Sequence, residues 1–323
     1  MDACLRYAVE LGETVARLME DNGCDCILLS GGVDTGFLAV SSHLYARGFE
    51  RAYTVVDGGG RDYGLASSLA SALGLRNHII VLNRGVVLPA LDLALSTLRV
   101  ADPVEIAGAT SIALGLIHAK SDGCKCVVTG DGGDELFLGY GFLLDKPLKE
   151  LSAWRERMAE GHAFFNSKPL ASTLGVRLCT PLYHESVRNA SLRVPPECLV
   201  GEAPRGGRAG KLVVRLFLEY AGFPEHAWQG KRPVTSGSGI LGFLESLARS
   251  AGIVEGWEPS RLHAFLLARM RVLSIEYPGP CKDESRRCPV CGRCLEGNRC
   301  PFCGAYISEG GVSVYKGARE EEN

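Results

Sequence analysis

No apolar run in this sequence approaches the roughly 18 to 20 residues that cross a bilayer. Its first stretch, MDACLRYAVELGE, lacks the basic start and apolar core of a secretory leader. The expectation is a cytoplasmic chain with no membrane partner. Charge of one sign is also lacking: the formal net charge is −2 over 323 residues. Bulk attraction to nucleic acid is thereby excluded, and any RNA contact would need a local patch. Internal repeats and low-complexity tracts are missing, which sets aside solenoids and disordered chains. The glycine-rich turns do not end in the Gly-Lys-Ser/Thr of a Walker loop, so ordinary nucleoside triphosphatase chemistry is disfavoured.

What the sequence does have is an apolar content of 46% and enough length for one medium domain with appendages. The first half has a clear rhythm. Residues 2–21 carry helical apolar spacing, and CDCILLS reads as a buried strand. A helix over about 35–47, the strand RAYTVV, a helix over 61–73 ended by Gly74, and the strand HIIVLN follow. Helical stretches over about 86–99 and 108–121 then precede KCVVTG. Continuous apolar strands separated by helices predict an α/β fold with a doubly wound parallel sheet covered on both faces.

From Leu148 to Tyr277 the spacing is mostly helical, interrupted by VPPECLVGEAPRGGRAGK, which reads as a long mobile loop near 200–210. The expected organisation is an α/β domain over 1–145, a helical part over 146–276, a small cysteine module over 277–309 and a solvated tail over 310–323.

Two strands run into turns of glycine and aspartate. SGGVDT follows the first, and TGDGGDE follows the fourth. A glycine pair after a parallel strand lets backbone N–H groups turn towards a ligand, and the next helix adds its positive end, which suits phosphate. Ser30 and Thr35 can donate to phosphate oxygens. Asp34 is suited to holding Mg²⁺ between itself and the phosphates, and Asp131 and Asp134 are candidate acids, bases or metal ligands. A lone SGG is more often a simple turn or helix start. Two such loops at strand ends point instead to a site for a magnesium-bound polyphosphate.

At these residues the sequence resembles the N-type ATP pyrophosphatases, a PP-loop family of the adenine nucleotide alpha hydrolase-like fold. SGGVDT is similar to their SGGxDS pyrophosphate loop, and VVTGDGGDELFLGY is similar to the SGEGADELFGGY element of the asparagine synthetase branch. AYTVVDG, DYGLASSLASALGLRNHIIVLN and DPVEIAG match in order, and GKLVVRLFLEYAGFPEHAWQGKRPVTSGSG resembles the segment that carries a catalytic lysine. The resemblance covers roughly residues 20–245 and implies an ATP-dependent, AMP-forming amide ligase. Such an enzyme adenylates a small carboxylate, releases pyrophosphate, and lets ammonia or an amine displace AMP.

Carried over by position, Ser30, Gly31, Gly32, Asp34 and Thr35 would cradle pyrophosphate, with Asp34 and Asp134 on Mg²⁺. Val56 and Gly130 would seat adenine, Asp131 stands for the catalytic glutamate, and Lys231 for the catalytic lysine. Thr35 replaces serine and Asp131 is one methylene shorter than glutamate, which bears on the size and position of the amine. The glutaminase half of asparagine synthetases is not in this sequence. Nitrogen would then come from free ammonia, an amine substrate or a separate glutaminase subunit.

CPVCGRCLEGNRCPFCG carries the second strong signal. Cys288/Cys291 and Cys300/Cys303 form two CxxC knuckles, each with proline after the first cysteine and glycine after the second. Two thiolate pairs on tight turns suit a tetrahedral Zn²⁺, and the same ligands also suit an iron–sulfur cluster. Four closed ligands point to a structural rather than a catalytic metal, in a ribbon that stabilises the C-terminal region or contacts a macromolecule. Cys281 and Cys294 are spare thiols able to compete for it. Strand alternation is expected to point Cys24 and Cys26 to one face, and likewise Cys124 and Cys126, as small core residues. A tRNA-modifying pyrophosphatase is the alternative function. It is favoured if Arg205, Arg208, Lys211, Arg215, Lys231 and Arg232 form one surface with the ribbon.

Overall fold

A computed structural model describes residues 3–58, 61–230, 234–253, 259–308 and 310–316. Its centre is a sheet of five parallel strands in the order β3-β2-β1-β4-β5. The strands are β1 (Cys26–Leu28), β2 (Arg51–Val56), β3 (Arg76–Val81), β4 (Val127–Val128) and β5 (Leu178–Cys179). Helices α1 (Ala3–Asp21), α2 (Val33–Tyr45), α3 (Arg61–Ala72), α4 (Arg84–Leu98) and α5 (Pro103–Ser121) carry the chain around and between the first four strands. This is the doubly wound architecture that the apolar rhythm implies, and the element limits fall within a few residues of those expected. No single helix among the described residues is long and apolar enough to cross a membrane.

The sheet separates two cores. Ala8, Val15, Ile27, Phe37 and Leu69 fill one side, and Phe217 closes it from helix Leu212–Tyr220. Phe217 lies against Gly12, where a Cβ would stand 2.4 Å from its ring, so α1 approaches this helix as closely as backbone allows. On the other side Leu91, Leu95, Ile106 and Leu114 of α4 and α5 meet Leu244 and Leu266 of later helices. Local signals set the start of this layer. Asn83 caps α4 by accepting from Gly85 and Val86 N–H, and Asp102 caps α5 ahead of Pro103.

Four expectations are corrected. The segment near 200–210 is a two-stranded hairpin, Gly201–Glu202 with Arg208–Ala209, rather than a long loop. The stretch read as helical contributes β5, whose pairing with β4 supplies what its two residues cannot signal alone. Cys24 and Cys26 do not share a face. Cys26 is bonded to Cys124, while the Cys24 sulfur lies 2.9 Å from that of Cys126. The reason is that β1 begins only at Cys26, so strand alternation does not reach Cys24. Cys4–Cys198 and Cys281–Cys294 are also disulfides, which removes Cys281 and Cys294 as competing thiols.

The cysteine module docks on the second core. Its two knuckles repeat one geometry: the N–H of Cys288 donates to Arg293 O and that of Cys300 to Ala305 O. Gly292 and Gly304 N–H donate back to Cys288 and Cys300, with φ of 74° and 76° that favour glycine. Phe302, Leu295 and Ala305 are buried with α4 and α5, and Arg293 lies 3.9 Å over the Phe302 ring. Arg299 donates to Asp102 (2.8 Å) and Glu105 (3.2 Å) at the start of α5. The module is thus part of the body of the protein.

Candidate active site

The strand order reverses between β1 and β4, and a crevice outside the carboxyl ends of adjacent strands at such a switch point is where open α/β sheets bind ligands. A cavity of about 250 Å³ lies there. Tyr53, Val55 and Ile112 line its apolar side, and Ser30, Asp34 and Asp134 its polar side. The structure therefore brings SGGVDT and TGDGGDE, a hundred residues apart in sequence, into one site.

The first loop is braced from within. Gly31 turns with φ of 75°, and Gly32 N–H donates to Ser30 Oγ at 3.3 Å. Ser30 Oγ and Thr35 Oγ1 are 3.2 Å apart, and Thr35 donates to Gly32 O. Gln229 Nε2 donates to Gly31 O at 2.6 Å, tying the loop to the segment after the helix Leu212–Tyr220. Gly32, the N-cap of α2, has no side chain to cap the helix, so the first turn of α2 faces the crevice without a competing capping group.

The second loop approaches the first as closely as its glycines permit. A Cβ on Gly133 would lie 2.3 Å from Asp34 Oδ1, and one on Gly130 would lie 3.1 Å from Asp34 Cβ. Asp131 accepts from Thr129 Oγ1 at 2.8 Å and from Ser167 Oγ. Burial pushes its pKa up, against those two hydrogen bonds and the charge of Lys168. Beside it Glu135 is also pushed up by burial and accepts a 2.5 Å hydrogen bond from Tyr140.

Between Asp34 and Asp134 lies Lys211, whose Nζ is 2.5 Å from Asp34 Oδ2 and 2.7 Å from Asp134 Oδ1. The lysine is 6% exposed. Burial would pull its pKa down, but the two carboxylates outweigh that and raise it, so the ammonium is charged. Its backbone is left-handed, φ 58°, immediately before the helix, and its N–H donates to Phe137 O. One turn later Arg215 is buried and donates to Gly210, Ala227 and Gln229 carbonyls, fixing the chain on either side.

In the sequence Lys211 and Arg215 read only as members of a basic run. Their burial removes them from any RNA-facing surface. The signal available was a lysine between glycine and an apolar helix. Thr129, Ser167 and Gln229 carry no comparable signal in the sequence.

Of the residues expected at the site, Ser30, Gly32, Asp34, Thr35, Gly130, Asp131 and Asp134 line the cavity, and Gly31 shapes its loop. Val56 does not. It is buried along β2 with its carbonyl bonded to Leu82 N–H, and its neighbour Val55 faces the cavity. Lys231 lies outside the described residues.

The donor set fits a hard divalent cation: two carboxylates converge on a position that already holds a positive charge, beside hydroxyls. In the module, Cys288, Cys291, Cys300 and Cys303 bring four sulfurs within 4.8 Å of one another and could hold a metal ion. Cys288–Cys303 and Cys291–Cys300 separations are 3.8 and 3.5 Å. Thiolates at Zn–S distances of about 2.3 Å on a tetrahedron lie roughly 3.8 Å apart.

The profile described as asparagine synthase matches residues 6–240. The chain is 25% identical over 224 residues to the glutamine-hydrolysing asparagine synthetase of Sandersonia aurantiaca, covering 65% of this chain and 42% of that one. It is 27% identical over 196 residues to asparagine synthetase 2 of Oryza sativa subsp. japonica, covering 57% and 33%. The chain thus spans less than half the length of these relatives. Similar solved structures include the NH3-dependent NAD synthetase of Campylobacter jejuni, at 14% identity and TM-score 0.37 over 87% of this chain and 100% of that one. Another is the U34-tRNA thiolase of Methanococcus maripaludis with its 4Fe-4S cluster, at 13% and 0.33 over 90% and 89%. With its profile match extending over most of the sequence, the chain belongs to the asparagine synthase family.

Proposed function

We propose that this protein is an ATP-dependent ligase that adenylates a carboxylate, releases pyrophosphate, and forms an amide with ammonia or an amine. The observation that carries the reading is the convergence of Asp34 and Asp134, from two separate strand-end loops, on one cation position at the topological switch point.

The roles follow from chemistry. Mg²⁺ on Asp34 and Asp134, when bound with ATP, would neutralise the phosphate charge and polarise it for displacement. Ser30, Thr35 and the first turn of α2 would bind the pyrophosphate portion, while Tyr53, Val55 and Ile112 offer an apolar slot for adenine. Gly130 lies between the two ends. Asp131, with its pKa raised, is the group suited to take a proton from an incoming amine. Lys231 stands one residue beyond the Gln229–Gly230 segment that Arg215 anchors, and is proposed as the lysine that offsets charge on the adenylate. In the cysteine module a single tetrahedral Zn²⁺ is favoured over a cubane, because a cubane's thiolates must reach separate irons and need wider spacing than these sulfurs have.

The tRNA reading loses support where it was strongest. Lys211 and Arg215 are buried, and Arg299, though its side chain is 55% exposed, pairs with Asp102 and Glu105 at the start of α5. The test is ATP–pyrophosphate exchange with a pool of carboxylic acids plus ammonium, and separately with total tRNA. Stimulation by the acids supports the ligase. Stimulation by tRNA alone would replace it with RNA modification.

A further inference from the structure

The cation position between the two carboxylates is filled by the protein itself. Lys211 Nζ is within 2.7 Å of both Asp34 and Asp134, and the side chain is almost wholly enclosed. This placement is built in. A Cβ on Gly139 would stand 2.0 Å from Asp134 Oδ1 and 2.1 Å from Lys211 Cε, and one on Gly210 would stand 1.9 Å from Leu138 O. The left-handed backbone of Lys211 and the hydrogen bond from its N–H to Phe137 then aim the side chain at the gap. Arg215 and its three carbonyl partners hold the same turn from the other side.

A magnesium ion takes carboxylate oxygens at about 2.0 to 2.1 Å, so a metal bridging Asp34 and Asp134 would need the space that the ammonium occupies. The ammonium and a divalent ion cannot share one pair of carboxylates at that distance without strong repulsion in a poorly hydrated site. A free metal ion brings no anion to which Lys211 can transfer. A polyphosphate does, because the Ser30–Thr35 loop would place phosphate oxygens on the same side of the crevice, next to Asp34.

We infer that Lys211 makes metal binding conditional on nucleotide. It closes the magnesium site in the nucleotide-free protein, moves onto the phosphates when ATP arrives with its metal, and returns to the carboxylates when pyrophosphate carries the metal out. This inference rests on the ATP reading above and deepens it. Metal enters and leaves with the phosphates, and the empty enzyme keeps its two acidic groups paired.

The test is Mn²⁺ binding, followed by the paramagnetic resonance of free Mn²⁺, with wild-type protein and K211M, each alone and with α,β-methylene ATP. After subtraction of the Mn²⁺ that the analogue holds in protein-free buffer, wild-type protein is expected to bind Mn²⁺ at least about tenfold more tightly with the analogue than without it. K211M is expected to bind Mn²⁺ alone about tenfold or more tightly than wild type does, since a repelling charge has gone, and to bind the analogue more weakly. Mn²⁺ should also raise the Tm of K211M without nucleotide and leave that of wild type unchanged.

Equal Mn²⁺ affinity of wild-type protein with and without the analogue would overturn the inference, and so would no gain in K211M. If K211M does not fold, K211Q takes its place with the same gain in Mn²⁺ affinity expected, and K211R is expected to keep the metal excluded. Failure of both proteins to take up the analogue would sink the ATP reading instead, while the metal-only comparison would still decide the role of Lys211.

Discussion

Replacing Gly133 by alanine tests how tightly the two loops are fitted. Gly133 opens the short helix Gly133–Leu136, where alanine would ordinarily gain about 1 kcal/mol over glycine. Here the added Cβ would meet Asp34 Oδ1 at 2.3 Å and Cγ at 2.4 Å, so the carboxylate must retreat by about 1 Å to reach ordinary contact. Asp34 cannot retreat without lengthening its 2.5 Å bond to the buried Lys211 ammonium. Overpacking costs about 1 to 3 kcal/mol, and weakening a charge-assisted hydrogen bond adds about 1 to 2.

Set against the helix gain, the net loss is about 1 to 4 kcal/mol, read as a Tm lowered by several degrees. A carboxylate displaced by that distance should also reduce AMP formation about 100-fold. Thermal unfolding and pyrophosphate release on the same preparation give both numbers. A G133A protein with unchanged or higher Tm and full activity would refute the fitted arrangement of the two loops.

Other outcomes follow from the same geometry. Asp131 has a folded pKa above its ordinary value, so its stabilising contribution is complete only at low pH and is lost as pH rises through the raised pKa. Asp131→Asn should therefore unfold less readily than wild type at neutral pH while losing amide formation, with the stability gap closing as pH falls. A constant gap across pH would contradict the burial argument. Cys300→Ser should lower the bound metal per protein and reduce Tm by several degrees, because Phe302, Leu295 and Ala305 dock through the folded module; unchanged stability would show that the module holds without metal. Alkylation of the unreduced, denatured, metal-stripped protein should label seven cysteines, rising to thirteen after reduction. Thirteen labelled before reduction would remove the disulfides.

The phosphate loops were legible because their chemistry is local: glycine, hydroxyl and carboxylate follow directly on an apolar strand at Ser30–Thr35 and at Thr129–Asp134. Lys211 was not, because its partner Asp34 lies 177 residues away and only the fold unites them. Val55 and Val56 are alike in a strand covered on both faces, so the sequence alone does not say which one faces the cavity. β5 has two paired residues and depends on β4 for its existence. The crosswise arrangement of Cys24, Cys26, Cys124 and Cys126 was hidden for a related reason. Asp25 accepts from the N–H groups of Lys125 and Cys126, a turn-like contact that alternation does not foresee. The knuckles at Cys288–Cys303 were readable because each is a complete local turn.

The proposed function depends on cleavage of ATP between its α and β phosphates in the crevice shared by Asp34 and Asp134. The direct measurement is separation of the products formed from α-³²P ATP with Mg²⁺ and the stimulating acid pool, for wild-type protein, Asp34→Ala and Asp134→Ala. Wild type is expected to give labelled AMP with equimolar pyrophosphate and neither variant any, both variants remaining folded. Labelled ADP from wild type, or AMP formation at full rate by either variant, would contradict it.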